Sequence, residues 1–165
     1  NLLNEIANSY YNYKRYEGAA RTWAKLIDPN KEDLEDYMRV GRAYYSGEKY
    51  KTADSVFNIV TKKSPKNVPA YLWIARSFSK MDPDTKLGLA KPKFEKLIDI
   101  AQADSARNNT EMMEAFGYLS YYHMMNENYS KSKDYYNRMI SLDPNNKENK
   151  IKGYNGIGSV ELRAT

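Results

Sequence analysis

Between Asp36 and Pro65 the apolar positions recur with helical spacing twice over. Tyr37, Val40, Gly41 and Tyr44 fall at i, i+3, i+4 and i+7, one face of a helix. Ser46-Gly47-Glu48 interrupts the pattern as a short breaker. Tyr50, Ala53, Phe57 and Val60 restore it, and Ser64-Pro65 ends it, because proline has no N–H to carry a helix onward. The stretch predicts two short helices, with Gly41 and Ala53 small enough to let one lie close against the other.

The same pattern slides along the chain. The small residue of the first helix recurs as Ala7, Gly41, Ala75 and Ser120, and three residues later stand Tyr10, Tyr44, Phe78 and His123. The small residue of the second helix recurs as Ala19, Ala53, Ala90 and Ser132, and the ring four residues on is Trp23, Phe57, Phe94 and Tyr136. Three copies close on Pro29, Pro65 and Pro144. Ala7, Gly41 and Ala75 follow one another at 34 residues, the period of the tetratricopeptide helix-turn-helix unit.

On these residues the sequence resembles a tetratricopeptide repeat protein over nearly its whole length. Within that family the stretch A-Y-L-W-I-A-R-S-F…D-P-D-T-K-L-G-L-A-K-P-K-F-E-K-L-I-D-I-A, residues 70–101, is most similar to the repeat proteins of Bacteroidetes. The resemblance implies an all-α solenoid, a right-handed superhelix of four helix pairs in one domain. The repeats span 1–30, 31–66, 67–109 and 110–145, and a final helix over 146–165 caps the stack. It also implies a binding scaffold, a fold used for many partners.

Within the repeats, Leu3, Ile6, Ala7 and Tyr10 form the inner face of the first helix, and Tyr16, Ala19, Trp23 and Leu26 that of the second. The third copy departs twice. Met81–Leu87 lengthens the turn by three residues, since Ala75 to Ala90 is 15 and Gly41 to Ala53 is 12. Asp82-Pro83 is expected to cap and start a helical turn, and Pro92 suits only the first turn of a helix. Ile98–Asn109 adds eight more residues, read as a helix extension ending near Asp104 in a family length variant. In the last helix Ile151, Tyr154, Ile157 and Val160 recur at helical spacing. Gly153, Gly156 and Gly158 weaken that helix, so it needs the fourth repeat to hold it.

Composition narrows the class. The 165 residues fit one domain, and with 41% hydrophobic residues, 16 tyrosines among them, no run approaches the ~18 apolar residues of a membrane helix. Mean hydropathy is −0.84. The net charge of +5 comes from lysines mixed with acids, and Lys62-Lys63 suits a helix C-terminus, so nucleic acid is disfavoured as a partner. Without cysteine there is no disulfide or thiolate metal site, an absence that suits a periplasm and many cytosols. Opening at Asn1 with neither Met nor a signal segment, the sequence reads as a processed or trimmed piece.

No residue set points to catalysis or to a cofactor. The carboxylates of Lys31–Asp36 read as helix-start and capping groups. His123 is the single histidine and takes a packing aromatic's place, and His123-Met124-Met125 with Met112-Met113 reads as soft filler between helices. Gly156-Ile157-Gly158 lacks the strand and third glycine of a nucleotide loop.

The resemblance places the partner groove on the concave face of the first helices. Half a turn from the packing set stand Asn4, Asn8, Tyr11 and Asn12; then Glu35, Met38, Arg42, Tyr45 and Ser46; then Leu72, Arg76, Ser79 and Lys80; then Gly117, Tyr121, Met124 and Met125. Asn8, Arg42, Arg76 and Tyr121 hold one place in successive repeats. Asparagine hydrogen-bonds a peptide backbone from both sides, arginines grip carboxylates, and tyrosines add contact area. The expectation is a protein or peptide partner with acidic groups. A binder of an anionic polymer, RNA or acidic glycan, is the alternative, as is the repeat domain of a larger protein. The family's clamp for a chaperone's C-terminal carboxylate is mostly missing, since Asn4, Arg39 and Trp73 stand where its lysine, asparagine and arginine belong.

Overall fold

Three of the first helices share a left-handed residue just beyond their ends, and these turns set the architecture. The computed structural model describes every residue except Pro29, Glu32 and Thr165. Among the described residues the secondary structure is helical with no strand. The helices are α1 (Leu2–Asn12), α2 (Tyr16–Ala24), α3 (Leu34–Ser46), α4 (Tyr50–Lys63), α5 (Val68–Met81), α6 (Lys91–Ala101), α7 (Asn109–Met125), α8 (Tyr129–Leu142) and α9 (Lys147–Ala164). One turn of 3-10 helix, Gln102–Asp104, follows α6, so the expected extension ends at Asp104. The fold class is the all-α solenoid type, helical hairpins in series. The expected closure at Pro29 lies outside the described residues.

Between the helices of three hairpins the chain turns on Lys14, Glu48 and Glu127, at φ of 58°, 60° and 58°. In each, the next residue's N–H reaches back to the first helix: Arg15 to the Tyr10 carbonyl at 2.8 Å, Lys49 to Tyr44 at 2.9 Å, Asn128 to His123 at 2.8 Å. Left-handed backbone costs a side-chain-bearing residue about 1–2 kcal/mol, so the helix pairing must offset it. Gly47, the expected breaker, is an ordinary residue at φ −85°.

The Met81–Ala90 turn differs. Asp82-Pro83 does not start a helix. Asp82 is buried and its carboxylate accepts the N–H of Leu87 on one oxygen and of Leu89 on the other, both at 3.2 Å. A cap would need these oxygens on the next helix's first N–H groups, and the loop takes them instead. Pro92 does stand in the first turn of α6.

The helices fall into two compact units, Asn1–Met81 and Asp82–Thr165. In the first, Ala7, Ala19, Ala20, Trp23, Val40 and Ala43 form one core cluster, and Met38, Ala53, Phe57, Val60, Ala70 and Ile74 another. Phe57 is fully buried, a burial that contributes about 1.5–3 kcal/mol. A methyl on Gly41 would stand 2.5 Å from its ring, so glycine is what lets α3 meet α4. Leu3 and Ile6 are exposed rather than inner, whereas Tyr10, though partly exposed, lays its ring against Gly18 of α2 as an inner residue should.

One packing rule recurs. The ring of each second helix is covered by the residue two places before the next small residue. Arg39 lies over Trp23 at 5.2 Å, Trp73 stacks on Phe57 at 6.0 Å, and in the second unit Tyr118 stacks on Phe94 at 4.4 Å.

In the second unit α9 packs on α8, but not by the expected stripe. Val160 is buried and Ile157 half-buried, whereas Ile151 and Tyr154 are 59% and 61% exposed. Gly153 and Gly156 take the contact instead: a methyl on either would run into Ile140 or Tyr136. The bulky side chains of α8 need a flat opposing surface, and the glycines provide it.

Candidate binding face of the first helices

In the first unit α1, α3 and α5 are joined side by side by polar and aromatic contacts. Asn4 Oδ1 accepts from Trp23 Nε1 at 3.1 Å and from Arg39 of α3 at 3.4 Å. The Tyr11 hydroxyl lies 3.5 Å from Ser46 Oγ. Tyr45 meets Trp73 of α5 edge-on at 5.1 Å. Two aromatic clusters result, and the second repeats the first 34 residues on. Tyr11 meets Tyr16 edge-on at 5.0 Å, as Tyr45 meets Tyr50 at 5.3 Å. Tyr11 also packs on Trp23 at 5.6 Å.

Guanidinium groups complete the face. Arg39 pairs with Asp36, Arg42 pairs with Glu35, and Arg76 lies over the Trp73 ring at 4.6 Å. A cation over an indole is held at about 0.5–2 kcal/mol, depending on exposure.

The expected residues divide by position. Asn8, Tyr11, Asn12 and Lys80 are exposed, and Arg42, Tyr45, Ser46, Arg76 and Ser79 half-buried. Met38 is 4% exposed and Leu72 is buried too, while Asn4 turns to Trp23. These three do not face outward as expected. Each stands three residues before a small packing residue (Ala7, Gly41, Ala75), and i, i+3 positions share a helix face. In the second unit Tyr121 and Met125 are 40% and 42% exposed on α7, but Met124 is buried. Nothing stands within 4 Å of a methyl on Gly117.

Arg39, Trp73 and Tyr16 belong to this face although they were not among the expected residues. The 34-residue register that relates Tyr16 to Tyr50 and Arg39 to Trp73 is the signal that finds them.

His123 is 5% exposed and stacks on Tyr135 at 5.7 Å with the rings 10° from parallel. Burial lowers its pKa first, and Lys131 and Lys91 lower it further against the opposing pull of Glu95. Burial, with Asp82 and Tyr122 adding to it, pushes the Tyr118 phenol up to about 12. Both are packing rings held neutral. Among the described residues no group of three His, Cys, Asp or Glu is placed to hold a metal ion, and no helix is long and apolar enough to cross a membrane.

Helical hairpins in a shared register, with an aromatic and guanidinium face on their first helices, define a helical-repeat protein. The comparisons give the family. The C-terminal part of a repeat-containing protein from Cytophaga hutchinsonii, a member of the Bacteroidetes, is 36% identical and superposes with a TM-score of 0.80 over 92% of this chain. The chain spans 58% of that protein's resolved length. Structures of MamA are similar in fold: a double mutant at 23% identity (TM-score 0.68, covering 98% of this chain and 83% of that one). A second MamA structure stands at 15% (0.69, 98% and 80%). No family model matches the sequence, and no curated protein matches it significantly. The chain is a tetratricopeptide-repeat protein, similar to that of Cytophaga hutchinsonii.

Proposed function

We propose that this protein is a non-catalytic scaffold that holds a segment of another protein on the face of α1, α3 and α5. The observation that carries the reading is the doubled aromatic cluster with Arg42 and Arg76 along it. It is a large, rigid surface with hydrogen-bonding edges, and rigid aromatics give contact area at low entropy cost. Asn8 and Asn12 offer amides to an extended backbone.

Acidic groups on the partner fit the arginines by exchange. Glu35, which pairs with Arg42, is 71% exposed, so a partner carboxylate replaces it with little net cost in Coulomb energy. Arg76, stacked on the Trp73 ring, is the second guanidinium along this face. Tyr121 and Met125 on α7 form a separate exposed patch of the second unit in this proposal.

The test is affinity capture with the wild type beside an Arg42→Glu, Arg76→Glu double variant of equal helicity by circular dichroism. A protein retained by the wild type and lost by the variant is the expected result. Equal retention overturns the arginine face. Loss of all retained material after nuclease treatment, with steep salt dependence, gives the molecule to an anionic polymer instead.

A further inference from the structure

The lengthened turn between α5 and α6 buries polar groups that an ordinary turn would leave in solvent. Asp82 and Thr85 are 3% and 2% exposed, whereas Pro83, Asp84, Lys86 and Leu87 around them are exposed. The Thr85 N–H donates to the Asp82 carbonyl at 3.1 Å, and Thr85 stands at φ 59°. A β-branched residue in the left-handed region is a genuine outlier, held there at an energetic cost.

The turn lies against α7. At Gly88, φ 66°, a methyl would come within 3.0 Å of the Tyr122 ring and hydroxyl. Tyr118 stands four residues before Tyr122, and i, i+4 positions share a helix face. The Tyr118 ring stacks on Phe94 of α6 at 4.4 Å. Burial first, and then the charge of the Asp82 carboxylate, raise the pKa of its phenol, so the two groups are neighbours.

Two hydroxyls here, Thr85 Oγ1 and the Tyr118 phenol, are buried without a hydrogen-bond partner among the described residues. Leaving such groups unpaired is costly. Each can donate and accept. The Asp82 carboxylate accepts one N–H on each oxygen, from Leu87 and from Leu89, and keeps lone pairs for a further donor.

Counting protons selects what fits among these three groups. A metal cation takes oxygen lone pairs and leaves both O–H groups without an acceptor. An anion meets the charge of Asp82. Water satisfies all three, accepting from the hydroxyls and donating to the carboxylate, within the roughly two to four bonds of a buried water.

We propose that one ordered water is bound beneath the Met81–Ala90 turn by Thr85 Oγ1, the Tyr118 hydroxyl and the Asp82 carboxylate, and that it ties the turn to α7. Thr85 then holds its unfavourable backbone because its hydroxyl is a ligand of that water. Glycine would suit the φ better but has no hydroxyl to offer. The site lies in the second unit and is independent of the α1, α3, α5 face.

Thr85→Val keeps the branched shape and the backbone strain, and Tyr118→Phe keeps the ring on Phe94, so each deletes a hydroxyl and little else. Urea unfolding of the full chain, followed by circular dichroism, compares their folding constants. Each single variant is expected to lose at least about fivefold. The double variant should lose less than the product of the two, because its second deletion removes a group already deprived of its partner. Oxygen-17 magnetic relaxation dispersion should show one long-lived water fewer in the double variant than in the wild type. Single variants as stable as the wild type, or more so, overturn the proposal, since deleting an unpartnered hydroxyl relieves a cost. An unchanged number of long-lived waters overturns it as well and leaves the hydroxyls bonded directly to protein. So does stabilisation by potassium or calcium, at matched ionic strength, that the wild type shows and the double variant lacks, which gives the site to a cation.

Discussion

At position 123 the repeats exchange a ring that cannot titrate near neutrality for one that can. Tyr10, Tyr44 and Phe78 hold this place in the first three copies, and His123 holds it in the fourth. Its pKa is lowered by burial, by Lys131 of α8 and by Lys91 of α6, while Glu95 of α6 pulls the other way and Tyr122 and Tyr135 pack on the ring. The folded state therefore holds the imidazole proton less tightly than the unfolded chain, whose value lies near ~6.5. Stability is complete above that value and is lost as pH falls through the folded value. Melting followed by circular dichroism should fall from pH 7 to pH 5 in the wild type. His123→Phe should lose part of that dependence, and an unchanged slope would show that His123 titrates alike in both states. The residue scale also shows where sequence reasoning failed. Met38 and Leu72 were expected outward because half a turn was counted from the packing set, yet both share a face with Gly41 and Ala75. A three-residue offset on a helix is only 60° from full alignment, less than an apolar stripe is wide, and the sequence carries no mark of where the stripe's edge falls.

Among the elements, the hairpins were legible and their turns were not. The positions of Gly41, Ala53 and the rings fix which helices pair, since a small residue opposite a ring is a packing statement. The left-handed residues at Lys14, Glu48 and Glu127 have no glycine to announce them. The Met81–Ala90 turn was misread for a related reason. An Asp before a Pro has the composition of a helix start, and whether its carboxylate caps a helix or pins a loop depends on burial that distant residues impose. Asp82→Ala should leave the N–H groups of Leu87 and Leu89 without their acceptor and destabilise the protein by about 1–3 kcal/mol. Urea unfolding measures it, and a cost within a few tenths of a kcal/mol would mean that the loop holds itself by other contacts. The glycines of α9 give the complementary lesson. They count against a helix by propensity alone, and two of them are where it meets α8.

For the whole molecule, the repeat period and the all-α class were written in the chain, because each copy must restate the contacts that stack it on its neighbours. The division at Met81–Asp82 was not, since it depends on how contacts are shared out between helices of similar pattern. That division has an optical consequence. The chain has two tryptophans, Trp23 and Trp73, and both belong to the first unit, each packed with an arginine and a tyrosine. Indole emission therefore watches residues 1–81 and is blind to the rest, while the far-ultraviolet signal of the helices watches both units. In the Asp82→Ala protein, helix content should begin to fall at a lower denaturant concentration than the one at which emission shifts to the red. Coincident curves would mean that the two units unfold as one cooperative block. Either way the protein comes with a built-in spectroscopic label for one half of itself, and no dye need be attached to tell the halves apart.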